Sequence, residues 1–369
     1  MYHAYELAFV GFSNSGKTTL ISKLIRHFSC SKKIGYLKAH AHTFEMDKPG
    51  KDTHIMTENG AVAVSISSMK KSAWIQQEPE RFHQQRQKFL DCDWVFVEGE
   101  KGGKIPKVVV LDPEMKIMSL IERGEITDVF AYVGESRQSP LENHLLYFHR
   151  DDIEKLSSFV DSFFKVQAQK TPLYGLVLTG GQSSRMGQDK ALMNYHGVQQ
   201  AEYLYKLLEV AMEKTFLSSR KDQWQGESLE NLPQIFDQLL GFGPMGGMLS
   251  AMTAYPEAAW FVVACDLPVV DQTLIKDILD QRDPYKIATA YRSQYCDFPE
   301  PLFAIYEPKS SQRLFEYMGL GYRCPRKVLI NSEVKLIDQP FLSALDNAND
   351  PEESQRIQTL IQGGDLYGK

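Results

Sequence analysis

The chain has 369 residues, of which 43% are hydrophobic, 24% charged and 11% aromatic, and it carries a formal net charge of −6. This is enough for two or three domains with cores of their own, in a composition that excludes collagen-like, coiled-coil and disordered classes. No apolar run nears the ~18 residues of a membrane span, and the first one, Leu7 to Val10, ends in a glycine-rich loop instead of extending into a secretory signal, so a cytoplasmic location is expected. From the N-terminus, strands are predicted at Glu6–Val10, Lys33–Leu37, Ala61–Ile66, Asp93–Val97, Lys107–Leu111 and Asp128–Val133, with helices at Lys17–Phe28, Pro79–Leu90 and Asp151–Phe164. A polar stretch ending in proline, Lys165 to Pro172, reads as a linker. Strands resume at Tyr174–Thr179, Thr215–Ser218, Pro233–Phe236, Trp260–Ala264, Lys286–Tyr291 and Leu302–Tyr306, with helices near Ala201–Lys214, Met245–Ala254, Gln272–Gln281 and Pro351–Gln362. Alternating strands and helices on both sides of the linker predict two α/β domains, 1–168 and 172–369, in which mainly parallel sheets are layered with helices.

Charge divides at the same place. The first 170 residues hold 23 Lys+Arg against 22 Asp+Glu, the remainder 18 against 25. Neither part has the dense basic run that nucleic acid requires. Five cysteines with no Cys-x-x-Cys pair read as reduced thiols, not as disulfides or a zinc site.

Gly11-Phe12-Ser13-Asn14-Ser15-Gly16-Lys17-Thr18 matches G-x-x-x-x-G-K-[ST] between a predicted strand and a predicted helix. The glycines let backbone N–H groups wrap phosphate oxygens, Lys17 reaches the β- and γ-phosphates, and Thr18 ligates Mg²⁺. Gly11, Ser13, Ser15, Gly16, Lys17, Thr18 and Thr19 are therefore candidate nucleotide contacts. Glu98, at the end of the apolar run Asp93 to Val97, is a candidate for the Mg²⁺ or its water, or else a structural strand-end carboxylate. His40, His42 and His54 admit a metal, loop hydrogen bonds or phosphate contact.

A second glycine-rich turn, Leu178 to Lys190, follows a predicted strand but has different spacing, so it is an independent phosphate-binding device and not a duplicate. Gly180 and Gly181 open the backbone to an anion, while Arg185 and Lys190 add charge. Asp266 stands at the tip of the buried run Phe261 to Ala264, where an α/β sheet presents a metal ligand, although a strand-capping carboxylate sits there too. Between them lie Asp237 and the glycine-rich run Gly241 to Gly247, which allow close approach of a base or phosphate.

GFSNSGKTTL, YLKAHAHTF, D-x-x-GKDT and VEGEKGGKIPKVVV resemble the MobB family of molybdopterin-guanine dinucleotide biosynthesis adaptors over about residues 5 to 135. That resemblance implies a three-layer P-loop NTPase domain, GTP binding, a homodimer formed through this domain and at most weak hydrolysis. LTGG-x-S-S-R-M-G-x-D-K, D-x₆-G-P-x-x-G-M, CDLP and Asn347-Ala348-Asn349-Asp350-Pro351-Glu352 resemble the molybdenum cofactor guanylyltransferase family, MobA, over about residues 173 to 362. It implies a Rossmann-like nucleotidyltransferase domain of the nucleotide-diphospho-sugar transferase type. Carried over residue by residue, Leu178, Thr179 and Gly180 touch the nucleotide, Lys190 its phosphates, Asp237 the nucleoside and Asp266 the metal, with Asn347 and Asn349 near the pterin. Where the family often has Asn after the second strand, this chain reads Leu217-Ser218-Ser219-Arg220.

The function implied is Mg²⁺-dependent transfer of GMP from GTP to molybdopterin, with Lys190, Asp266 and Arg185 as the catalytic set and Asp266, Thr18 and Glu98 as metal ligands. A cytidylyltransferase or other nucleotidyltransferase of the same kind is the neighbouring reading. A nucleotide-switch cofactor chaperone without transferase activity is the reading from another class. Molybdoenzymes or their chaperones are the implied downstream partners, with no nucleic acid or membrane.

Overall fold

A computed structural model describes residues 3–39, 46–139, 146–180, 189–341, 343–348 and 350–363. The chain divides into two units, Met1–Phe164 and Lys165–Lys369.

In the first unit the strands are β1 (Glu6–Val10), β2 (Ile34–Lys38), β3 (Ala63–Ser67), β4 (Ser72–Gln76), β5 (Trp94–Glu98), β6 (Lys107–Val110), β7 (Val129–Gly134) and β8 (Tyr147–His149). Six of them form one parallel sheet in the order β2-β5-β1-β6-β7-β8, and β3 and β4 pair as a separate antiparallel hairpin. Every residue of β1, β5 and β6 is buried, as central strands covered on both faces by helices must be. The helix Lys17–Phe28 buries Leu20, Ile21, Leu24 and Phe28, one stripe at helical spacing laid on the sheet. Trp94 stacks on Phe164 and meets Phe28 edge-on, with centroids 4.6 and 4.9 Å away, so the first and last helices of the unit close one layer.

The expected linker is in part a helix. Residues Lys165 to Gln169 complete the helix Ile153–Gln169, and the next strand opens at Leu173. The cause is visible in burial: Leu156, Val160, Phe164 and Ala168 are all buried at intervals of four, so the apolar stripe runs through the polar-looking segment.

The second unit contains β9 (Leu173–Leu178), β10 (Lys214–Ser219), β11 (Gln234–Phe236), β12 (Ala259–Ala264), β13 (Ala288–Arg292), β14 (Pro299–Tyr306) and β15 (Val334–Ile337). They form one sheet in the order β11-β10-β9-β12-β14-β13-β15, parallel except that β14 runs against both neighbours. Alternate residues of β12 feed opposite layers. Phe261 and Val263 join the core under the helices Gln200–Ala211 and Gln272–Asp280, and Trp260 and Val262 the core under Pro244–Ala254. The Asp271 carboxylate caps the helix Gln272–Asp280 by accepting from Leu274 N at 3.0 Å.

Candidate functional site

In the first unit, register puts the loop ends of the parallel strands level. Phe9 pairs with Glu98, Lys38 with Glu98, and Gly134 with His149, so the loop after β1 faces Lys38, Glu98, Glu135 and Arg150 along one edge. This is the edge where open α/β sheets meet ligands. The loop after β1 turns through Asn14 and Gly16, both in the left-handed region at φ 63° and 87°, and enters the helix at Lys17. Glycine at position 11 is dictated by space, since a Cβ there would lie 2.6 Å from Ser15 Oγ and 2.8 Å from the Val110 carbonyl.

Lys17 Nζ bends back to donate to the Phe12 carbonyl at 2.6 Å. Burial pushes its pKa down and neighbouring Lys101 and Lys38 push the same way, while Glu98 opposes them. Thr18 Oγ1 donates to Glu98 at 2.9 and 3.1 Å, and Tyr36 OH donates to Glu98 at 2.9 Å. Burial first, then the Glu98 contact, pushes the Tyr36 phenol up to about 12. Thr18 and Glu98, named separately from the sequence, are thus brought into contact across 80 residues, while Gly11, Ser13, Ser15, Gly16 and Thr19 belong to the same loop and helix start as Thr18. Tyr36 is the member that sequence reading missed, because nothing in a strand tyrosine's immediate neighbours marks it as facing a carboxylate. His54 Nε2 sits 3.3 Å from Glu58 Oε1, an ordinary helix-surface pair. His40 and His42 lie outside the described residues.

The second unit builds its edge in the same way. Leu178 is level with Ala264 of β12 and Ser218 of β10, and Ser219 is level with Phe236 of β11. The residues at or just past each strand end therefore line up as Asp237, Ser218–Ser219, Thr179–Gly180 and Cys265–Asp266. A cleft of about 180 Å³ opens over the last of these, lined by Leu178, Thr179, Gly180, Lys190, Pro244 and Asp266 among others. Lys190 Nζ lies 3.4 Å from Asp266 Oδ2. Thr179 is fixed by its hydroxyl, which donates to the Ser218 carbonyl at 2.6 Å.

Asp237 adjoins this edge at Gly180. Ser218 Oγ donates to it at 2.7 Å, and a Cβ at Gly180 would come within 3.5 Å of its other oxygen. Burial raises the Asp237 pKa, with the Ser218 hydrogen bond and Arg220 opposing. Within the stretch Leu217-Ser218-Ser219-Arg220, Ser218 supplies a polar contact to the carboxylate.

A second, smaller cleft of about 80 Å³ shares Asp266 and Leu302 with the first and is lined as well by Glu300, Arg326 and Asn347. The loop carrying Asn347 is pinned to the strand tip by Ala348 N donating to the Asp266 carbonyl at 3.0 Å. The carboxylate of Asp346, 5% exposed, takes hydrogen bonds from Arg356 and Gln294 at 2.6 Å and Tyr295 at 3.1 Å. Burial alone would raise its pKa, but these donors outweigh burial and hold it below the usual 3.8. Arg326, paired with Glu300 at 2.9 Å, was not legible as a site residue, since its helix and the strand of Glu300 meet only in three dimensions.

The depressed Asp346 carboxyl fixes a sign. Its stabilisation is full above the unfolded carboxyl value and is lost as pH falls through the lower folded value. Asp346→Asn is expected to cost about 2 kcal/mol at pH 7, the size of a charge-assisted hydrogen bond. The difference from the parent should hold from pH 8 to about 5 and shrink below about 4. Urea midpoints of the second unit's transition at each pH check it, and a difference that grows on acidification would contradict it.

Gly181, Arg185 and Asn349 lie outside the described residues. Leu178, Thr179, Gly180, Lys190, Asp266 and Asn347 meet around the paired clefts, and Asp237 adjoins them at Gly180. Both candidate metal positions offer oxygen donors only, one or two each, and among the described residues no three His, Cys, Asp or Glu converge. Such a set suits a hard cation shared with substrate phosphates, not one caged by protein. All five cysteines are free, and no helix among the described residues is long and apolar enough to cross a membrane.

Comparison with known proteins accounts for both units. Residues 6–134 match the family described as molybdopterin guanine dinucleotide synthesis protein B, MobB, and residues 175–335 the MobA-like NTP transferase domain. A molybdenum cofactor biosynthesis bifunctional protein from Synechocystis is 42% identical over 193 residues, 52% of this chain and 56% of that protein. The match thus spans little more than half the length of that relative. A probable molybdenum cofactor guanylyltransferase from Bacillus cereus is 30% identical over 192 residues, 50% of this chain and 94% of that protein. The crystal structure of Bacillus subtilis MobB is 26% identical, covering 43% of this chain and 96% of its own, with a TM-score of 0.37.

Proposed function

Because the chain belongs to the molybdenum cofactor guanylyltransferase family and carries a MobB domain ahead of its MobA-like one, we propose that it makes molybdopterin guanine dinucleotide. The second unit transfers GMP from GTP to molybdopterin, and the first binds GTP through its phosphate loop as an adaptor to the transferase. The observation that carries this reading is the Lys190–Asp266 contact at the mouth of a cleft whose other wall is the Thr179–Gly180 backbone, with Asn347 in the adjoining cleft.

In the reaction, an oxygen of the molybdopterin phosphate attacks the α-phosphorus of GTP in line. A phosphorus–oxygen bond forms there as the bond to the β-phosphate's bridging oxygen breaks, and pyrophosphate leaves. The nucleophile is ionised at neutral pH, so no strong general base is required, and positioning and charge neutralisation supply the catalysis. Lys190 and the N–H groups after β9 neutralise the triphosphate, Asp237 holds the nucleoside, and Asn347 orients the pterin. Asp266 in the second unit, and Thr18 with Glu98 in the first, are the groups to hold Mg²⁺. Held there, Mg²⁺ would offset the charge of the phosphate oxygens.

Dimerisation through the first unit is part of the proposal. It is supported by the β3–β4 hairpin, which presents Ile66 on one face and Trp74 on the other, 59% and 55% exposed, and pairs with no third strand among the described residues. A cytoplasmic location and molybdoenzymes or their chaperones as recipients of the product complete the reading.

The test is incubation of the full chain with Mg²⁺, molybdopterin and GTP, CTP or ATP, following pyrophosphate and the dinucleotide. Release with GTP, and more than tenfold less with CTP or ATP, is expected. Equal use of CTP would make this a cytidylyltransferase, and no pyrophosphate with any of the three would remove transferase activity altogether.

A further inference from the structure

The phosphate loop of the first unit has a direction. Thr18 and Glu98, the candidate metal pair, lie on its β5–β2 flank. A metal in a phosphate loop sits at the β- and γ-phosphates, so a nucleotide held there must extend its nucleoside toward the opposite flank, β6–β7–β8. Two charged side chains stand at the tips of that flank. Glu135 follows β7 and Arg150 follows β8, level with each other through the Gly134–His149 register and the Arg150 N–H donating to the Gly134 carbonyl at 2.9 Å. Arg150 NH1 lies 2.9 Å from Glu135 Oε1, and NH2 donates to the Ser15 carbonyl of the phosphate loop at 3.4 Å. A Cβ added to Gly16 would sit 3.4 Å from Arg150 NH1, so the guanidinium lies directly against the loop. Arg150 Nε is buried and makes no hydrogen bond, so the guanidinium is held by its two terminal nitrogens as a strut between the phosphate loop and Glu135.

We propose that Glu135, held by Arg150, is the base-reading residue of the phosphate-loop site, and that it selects guanine. The proposal rests on the reading of that loop as a GTP site and adds what the loop sequence does not specify, the base. An ionised carboxylate only accepts hydrogen bonds and has room for about four. One oxygen engaged by Arg150 leaves capacity for the two donors that guanine presents side by side, N1–H and the 2-amino group. Adenine has neither on that edge. An analogue lacking one of those donors forfeits a hydrogen bond to a charged group, a loss of about tenfold or more in affinity. Glu135 is exposed, with 63% of its side chain in solvent, so replacing it leaves the sheet intact.

The experiment is equilibrium binding of GTP, ITP and ATP to the full chain with Mg²⁺, in the parent, Lys17→Ala and Glu135→Ala. ITP differs from GTP only in lacking the 2-amino group. The binding component that Lys17→Ala removes is the phosphate-loop site, and the component that survives is an internal control. In the parent, the first component should prefer GTP over ITP by about tenfold and reject ATP. Glu135→Ala should weaken its GTP binding by about 10- to 100-fold and bring the GTP:ITP ratio close to one, with the surviving component unchanged. Loss of affinity with the GTP:ITP preference intact would mean that Glu135 acts only on loop structure and would overturn the proposal, as would unchanged GTP binding. If Lys17→Ala removes no component, the reading of the loop as a GTP site fails and the proposal falls with it, a result that no outcome in the Glu135 arm can imitate.

Discussion

Asp266→Ala is expected to lower the rate of dinucleotide formation by about 10²–10³-fold, a loss of ~3–4 kcal/mol of transition-state stabilisation. The residue follows a strand buried along its whole length, its main-chain carbonyl is fixed by Ala348 N at 3.0 Å, and its carboxylate faces Lys190 at 3.4 Å. Removing the side chain leaves that backbone anchor in place, so the fold should survive while the charge at the cleft mouth changes by one unit. Lys190 then loses this contact, and the balance of charge among the groups proposed to neutralise the triphosphate is altered. Because the two side chains touch, their effects should not add: the Asp266→Ala/Lys190→Met chain should lose less than the product of the single losses. Single-turnover pyrophosphate release at saturating GTP separates this from a binding defect. A normal rate in Asp266→Ala would remove Asp266 from the catalytic set.

How far the sequence carried toward these clefts depended on whether a residue's role was local. Strands such as β1 and β12 and the helix Lys17–Phe28 were legible almost to the residue, since their apolar periodicity and flanking glycines or prolines are properties of a short window. The phosphate loop and Asp266 stood out for a similar reason, lying directly after strands, and Lys190 because it closes a glycine-rich turn. Two short elements were not legible: β8 has three residues and the helix Met118–Glu122 five, too few for a period to emerge. β15 escaped because Val334–Ile337 gains its strand identity only by pairing with β13. Tyr36, Ser218, Arg326 and Asp346 act through partners 62, 19, 26 and 10 residues away, so nothing beside them in the chain announces the contact. The segment after Phe164 misled for the opposite reason, because its polar letters hid the single small residue, Ala168, that keeps the buried stripe going.

Gly247→Ala should damage the site through space alone. In an unpacked helix the change would be favourable by up to ~1 kcal/mol. In the helix Pro244–Ala254 the new Cβ would lie 2.2 Å from Ser218 Oγ, 3.1 Å from Asp237 Oδ1 and 3.3 Å from Leu178 Cδ2, so something must move. The hydroxyl of Ser218 is the softest of the three, and moving it breaks its 2.7 Å hydrogen bond to Asp237. Overpacking of this kind costs about 1–3 kcal/mol, enough to reverse the helix gain. The chemical consequence is more specific. Burial already raises the Asp237 pKa and the Ser218 bond restrains it, so losing that bond raises it further. An acid whose folded pKa lies above its unfolded one is fully stabilising only below the unfolded value and loses that contribution as pH rises through the folded one. The ionised form, proposed to hold the nucleoside, appears only above the folded value, so the acid limb of kcat/KM for GTP should move to higher pH, with kcat/KM at a pH on that limb falling about tenfold. Adding Ser218→Gly removes the atom in the way and should restore the urea midpoint, yet leave the acid limb displaced, because the hydrogen bond is still missing. Recovery of both in the double variant would mean that the hydroxyl tunes nothing, and that Gly247 is required for packing only.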